Sequence, residues 1–161
     1  MKALTIKAPW AQAIVHGTNR IENRTWKPHV NVIGKRIAIH CGKSLARPRD
    51  YDDPRALVQL DEAHRWCVGT GRVEAGCIIG TAIIAGWIDD EDAVIAGSHE
   101  PVPGTWDHHI LRGTYPYNNQ WFIGPIGWLL DDVRAVEPVA ARGQVGMWTV
   151  PENIELVEVM K

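Results

Sequence analysis

LTIKAPWAQAIVHGTNRIENRTW, residues 4–26, decides how the rest of this chain is read. Leu4, Thr5 and Ile6 make a short strand. Pro9 suits the first turn of a helix, where its missing amide proton would lack an intrahelical partner, and Gly17 can close that helix. Beyond it Arg20, Glu22, Arg24 and Trp26 recur at every second residue while Ile21 falls on the other side, so a strand carries all four on one face. That face is too polar for a core and reads as a binding surface. A second stretch, HCGKS at 40–44, adds an imidazole, an ammonium and a hydroxyl at the end of another strand.

Working outward, residues 34–41 alternate, with Ile37, Ile39 and Cys41 on one side and Arg36, Ala38 and His40 on the other. The apolar side is expected to face the core. Asp52 or Asp53 before Pro54 starts a helix in which Leu57, Leu60, His64 and Cys67 recur at helical spacing, and Gly69 and Gly71 end it. Cys77 to Ile88, rich in Ile and Ala, reads as a largely buried strand. From 89 to 119 Gly, Pro, His and Asp accumulate without periodicity, which predicts a long loop excursion. Trp121 to Pro138, with a Gly-Pro-Ile-Gly turn near its start, and then 145–150 and 154–159 supply the last strands. Several strands, two helices and no regular βαβ alternation predict a small mixed α+β barrel, in one domain covering 1–161.

Seventeen basic against nineteen acidic residues give a formal charge of −2, which excludes a generally cationic nucleic-acid coat. A polyanion would have to meet a local patch, and Lys35, Arg36, Lys43, Arg47, Arg49 and Arg55 form one in sequence. Cys41, Cys67 and Cys77 are odd in number and lack Cys-x-x-Cys spacing, so neither a disulfide framework nor a zinc knuckle is encoded and a reducing cytoplasm is expected. Lys7, Pro9 and Gln12 interrupt any apolar leader, and no stretch is long enough to span a bilayer, so no membrane partner is expected. His99, His108 and His109 beside Asp107 lack ligand spacing; no metal and no cofactor are expected.

Gly17, Glu22 and Arg24, with Pro9 and Trp10 before them, resemble the ASCH domain of the PUA-like superfamily. Its signature runs Gly-x-Lys-x-x-Glu-x-Arg after a short helix, often preceded by a Gln-Pro-Trp-like element. GKRIAIHCGKS (34–44), IIGTAIIAGW (78–87), WFIGPIGWLLDDVRAVEPV (121–139) and GMWTV (146–150) are similar to later parts of the family, in order. Two positions depart: Asn19 stands where Lys is usual and Ala8 where Gln is frequent. The resemblance implies a PUA-like mixed β-barrel (pseudobarrel) with flanking short helices. It also implies RNA-related work, in a cleft beside the first helix and the Glu22/Arg24 strand.

The residues permit that work. On one strand face Glu22 and Arg24 would stand roughly 7 Å apart, close enough to share a ligand, with Glu accepting from a base and Arg donating to phosphate or carbonyl. A structural ion pair is the simpler alternative. Eight tryptophans against one phenylalanine offer stacking platforms, with Trp10, Trp26 and Trp121 nearest the polar strand and Trp87, Trp128 and Trp148 better suited to packing. A turn at Gly42-Lys43-Ser44 could hold phosphate on backbone amides and Lys43, with His40 as acid or base. The expected ligand set is therefore Lys7, Trp10, Glu22, Arg24, Trp26, His40, Lys43, Ser44 and Trp121, and the expected partner RNA, a nucleoside or a nucleotide. A hydrolase is the alternative: a metal-independent ribonuclease with Glu22, His40 and Lys43 as catalytic groups, or an amidohydrolase. Asn19 weighs against the amidohydrolase, since an amide cannot replace an activated Lys. A protein-interaction adaptor is the third reading.

Overall fold

The computed structural model describes residues 1–50, 52–70, 74–89 and 121–159. Apart from Asp89, the excursion expected at 89–119 lies outside them, and so do His99, Asp107, His108 and His109. Six strands and two α-helices follow one another: β1 (Lys2–Ala8), α1 (Trp10–Val15), β2 (Ile21–Arg24), β3 (Arg36–Leu45), α2 (Pro54–Thr70), β4 (Cys77–Asp89), β5 (Ile126–Ala140) and β6 (Met147–Thr149). β1 runs parallel to β3 and antiparallel to β6, β2 runs antiparallel to β5, and the strand order is β2-β5-β4-β3-β1-β6. This is the α+β class with mixed strand directions that the sequence predicts, compatible with a PUA-like pseudobarrel. Among the described residues the sheet does not close, β2 and β6 being its outer strands. By internal contacts the chain divides into two compact units. One comprises Met1–Asn19, Ile37–Ala82 and Val133–Lys161; the other comprises Arg20–Arg36 and Ile83–Asp132.

In the first unit the parallel pair β1–β3 is covered on both faces. Ala3 and Ala38 join Ile78, Val136, Trp148 and Val150 in one cluster, flanked by Ala141, Ile154 and Leu156. On the helix side, Gln12 of α1 reaches Cys41 of β3, and Gly80 of β4 leaves room for Val15, which a Cβ at 80 would meet at 2.6 Å. The one-sided alternation expected for 34–41 is therefore corrected: residues 37–42 are all buried, because strands of a parallel pair lose solvent on both sides.

α2 begins where the sequence places it. Asp53 Oδ1 accepts from the Arg55 amide at 2.8 Å, the cap that an acidic residue before Pro54 supplies. Its buried stripe is Ala56, Gln59, Leu60, Ala63 and Cys67, while Leu57 and His64 are exposed. Leu60 and Cys67 of the expected set lie in this stripe, and its other positions are held by Ala56, Gln59 and Ala63, whose small or polar side chains give no apolar signal.

In the second unit β2 and β5 pair in the register Ile21↔Leu129, Glu22↔Trp128, Asn23↔Gly127 and Arg24↔Ile126. Gly127 admits Phe122, Ile21 and Ile88, each of which a Cβ there would meet within 2.9 Å. Asp132 takes a left-handed φ of 42°, and Arg36 braces it by donating to its carbonyl at 2.9 Å and pairing with its carboxylate. The Gly-Pro turn read at the head of β5 is present, with Gly124 at φ 88°.

Candidate functional site

Cross-strand pairing builds the site of the second unit. Glu22 and Trp128 stand opposite each other across β2 and β5, so their side chains share a face. Two residues on, Arg24 returns to that face and its Nη2 lies 2.9 Å from Glu22 Oε1. Trp26 follows the strand and sets its ring against Trp128 edge to face, centroids 4.6 Å apart at 86°. The Trp128 indole N–H donates to the Trp26 carbonyl at 2.9 Å, which fixes the backbone that carries Trp26. Trp128 is fully buried, yet Trp26 keeps 37% of its surface in solvent. Next to it Lys27 places its ammonium 4.1 Å from the centre of the Trp87 ring.

Burial sets the chemistry of this face. Glu22 is only 8% exposed, so it is not the solvated face residue that alternation suggests. Burial raises its carboxyl from the ordinary 4.5 to about 7, and the charge and hydrogen bond of Arg24 oppose the rise without cancelling it. At neutral pH the carboxyl is therefore divided between its neutral and charged forms, and the pair offers a guanidinium beside a carboxyl that can accept or donate.

Asn23, on the opposite face, was not among the expected site residues. Its amide donates to the Trp121 carbonyl at 2.8 Å and its oxygen accepts from the Ile123 amide at 2.9 Å, which fastens the residues that lead into β5. The signal was present, since Asn placed between Glu22 and Arg24 must face away from them. Trp121 is held there and is 3% exposed, so it packs rather than offering the stacking face expected of it. Arg20 is partly buried near Asp131, and burial lowers its pKa.

The remaining expected residues belong to the first unit. Lys7, Lys43 and Ser44 are exposed, and Trp10, the first residue of α1, is partly exposed. The anion-holding turn expected at Gly42-Lys43-Ser44 does not form: β3 continues through Leu45, and its pairing with β1 shifts register between Lys7 and Ala8. The parallel ladder carries the strand past the point where Gly42 suggests a bend. His40 is 2% exposed, opposite Thr5. Burial lowers its pKa, with bonds to the Ala141 and Gly76 carbonyls acting the other way. Gln12, which the sequence suggests only as a break in polarity, is wholly buried; its amide donates to Cys41 Sγ at 3.2 Å and its oxygen meets no partner. Cys41 stays a thiol, pushed up to about 11 by burial. Asn19 is buried, and its backbone amide closes the end of α1 on the Ala13 carbonyl at 3.1 Å.

Among the described residues no group of three His, Cys, Asp or Glu side chains could hold a metal ion, and no helix is long and apolar enough to cross a membrane. The family model of the ASCH domain matches residues 4–121. No curated protein matches the chain.

Proposed function

This chain belongs to the ASCH domain family, and from that premise we propose that its second unit binds RNA, or a nucleoside-sized piece of it, on the face that carries Glu22, Arg24 and Trp26. The observation that carries the reading is the Glu22–Arg24 pair, which flanks the same Trp128 that seats the half-open Trp26 ring. An indole that keeps part of its surface in solvent can stack any base, at roughly 1–3 kcal/mol. A guanidinium and a carboxyl at its side read hydrogen-bonding edges or a phosphate. Within the first unit, Lys7, Trp10, Lys43 and Ser44 are proposed as RNA contacts of that unit in their own right, by charge, hydroxyl and indole. A thermal-shift series against nucleosides, modified nucleosides and short RNAs tests it, because a ligand that binds the native state raises the melting temperature by mass action. Stabilisation by RNA or nucleosides that is lost in Arg24→Ala supports the reading, and no shift with any of them defeats it.

A hydrolase is the second reading, favoured by one observation: the Glu22 carboxyl lies near 7, where a general acid or base works best at neutral pH. Buried His40 and strand-bound Lys43 give it less support than Glu22 does. Incubation of acylated cytidine or RNA with the protein in EDTA separates the readings. Intact recovery keeps the binding function, whereas turnover abolished by Glu22→Gln establishes the enzyme.

A further inference from the structure

His40 sits beneath residues 141–146, which carry no regular structure between β5 and β6. Its Nε2 lies 3.1 Å from the Ala141 carbonyl. A carbonyl only accepts, so Nε2 carries the proton and Nδ1 the lone pair. That Nδ1 is buried and has no partner. Gly143 is pressed against it: a Cβ at 143 would stand 2.4 Å from His40 Cε1, 2.6 Å from Nδ1 and 2.9 Å from Thr5 Oγ1. The Ala141 amide ties the same segment to the Gly76 carbonyl at 3.0 Å. Trp148 closes the far side, its ring 5.6 Å from the imidazole at 79° and its N–H donating to Thr5 Oγ1 at 3.0 Å.

From this geometry we propose that residues 141–146 are a pH-sensitive latch, closed over neutral His40 and released when His40 takes up a proton. A proton on Nδ1 would point at the Gly143 backbone, where Nδ1 has no hydrogen-bond partner, and the Gly76 carbonyl, which favours the charged ring, offsets its burial only in part. The buried charge would have no counter-ion either. On the surrounding elements of the first unit the chargeable side chains are Lys2 and Lys7 on β1, Cys41 and Lys43 on β3, Cys77 on β4 with Glu74 just before it, Arg134 and Glu137 on β5 and Arg142 in the latch itself; β6 carries none. None bonds the imidazole, and Glu74 is paired with His16 at 3.7 Å. Lifting the segment admits water to Nδ1 and uncovers Thr5, His40 and Trp148 together, so mild acid opens a polar and aromatic patch on the first unit. Burial lowers the pKa of closed His40, which gives the same sign: the closed form is favoured above the ordinary histidine value and loses ground as pH falls below it.

Amide hydrogen exchange of residues 141–146, corrected for the intrinsic pH dependence of exchange, tests this at about pH 7.5 and about pH 5.5. An open-state histidine near 6.5 gives a fall in protection of up to about tenfold between them, the full amount being reached if the closed form stays unprotonated throughout. His40→Gln keeps a side-chain donor but cannot titrate, and should show no fall. Gly143→Ala cannot close, and should exchange fast at both values. Wild-type protection that does not change, or an equal fall in His40→Gln, overturns the proposal. If His40→Gln does not fold, the imidazole resonances of the wild-type protein decide: titration below 6.5 with matching shifts at 141–146 supports the latch, and titration at or above that value overturns it.

Discussion

Replacing Glu22 by Gln should remove a specific pH dependence from the stability of this protein. The folded chain holds the Glu22 proton more tightly than the unfolded chain does, because burial raises the carboxyl from 4.5 to about 7. The contribution is fully present below about pH 4.5 and is lost as pH rises through about 7. At about 1.4 kcal/mol for each pH unit the whole effect is of the order of 3 kcal/mol. Gln has the same shape, can still accept from Arg24, and does not titrate. Urea unfolding of both proteins at a series of pH values between about 4.5 and 8 gives the difference in stability at each. Taking the difference removes the opposite contribution of His40, which the two proteins share. Relative to the variant, the wild type should lose about 3 kcal/mol across the series, most of it between pH 5 and 7. A difference that stays flat, or one that moves the other way, would refute the burial argument and with it a proton poised near neutrality on this face.

Two further substitutions examine the framework around the site. Gly80→Ala places a methyl 2.6 Å from Val15 and 2.8 Å from the Arg134 carbonyl; overpacking of this kind should cost about 1–3 kcal/mol in chemical denaturation, whereas an unchanged midpoint would mean that α1 shifts freely over β4. Asn23→Ala removes the side-chain bonds to the Trp121 carbonyl and the Ile123 amide; a loss of about 1–3 kcal/mol, with faster amide exchange at Ile123, is expected, and native protection at Ile123 would show that the fastening is unnecessary.

Much of the scaffold was legible in the sequence because its signals are local. Asp53 before Pro54 set the start of α2, the Ile and Ala run from Cys77 to Ile88 gave β4, and Gly124-Pro125 marked the turn into β5. Glu22 and Arg24 were placed on one face by the two-residue period alone, and they pair there. What failed depended on the partner strand. Alternation in β3 suggested one open face, but a parallel neighbour, β1, and the cover supplied by Trp148 and residues 141–146 bury both. The same cover turns His40 from a surface acid or base into an enclosed imidazole. Trp26 owes its seat to Trp128, far along the chain, and no local pattern encodes which tryptophan of eight will oppose Glu22.

Calorimetric titration of a short single-stranded RNA into the wild-type protein, Arg24→Ala and Trp26→Ala, at low salt, tests the central claim most directly. Loss of a charged donor is worth about 1.5–3 kcal/mol and loss of a stacking ring about 1–3 kcal/mol. Arg24→Ala should therefore bind about tenfold or more weakly than the wild type, and Trp26→Ala about fivefold or more weakly, while both keep their fold. Equal affinity in all three proteins, or no binding by the wild type, would contradict the assignment of this face to nucleic-acid recognition.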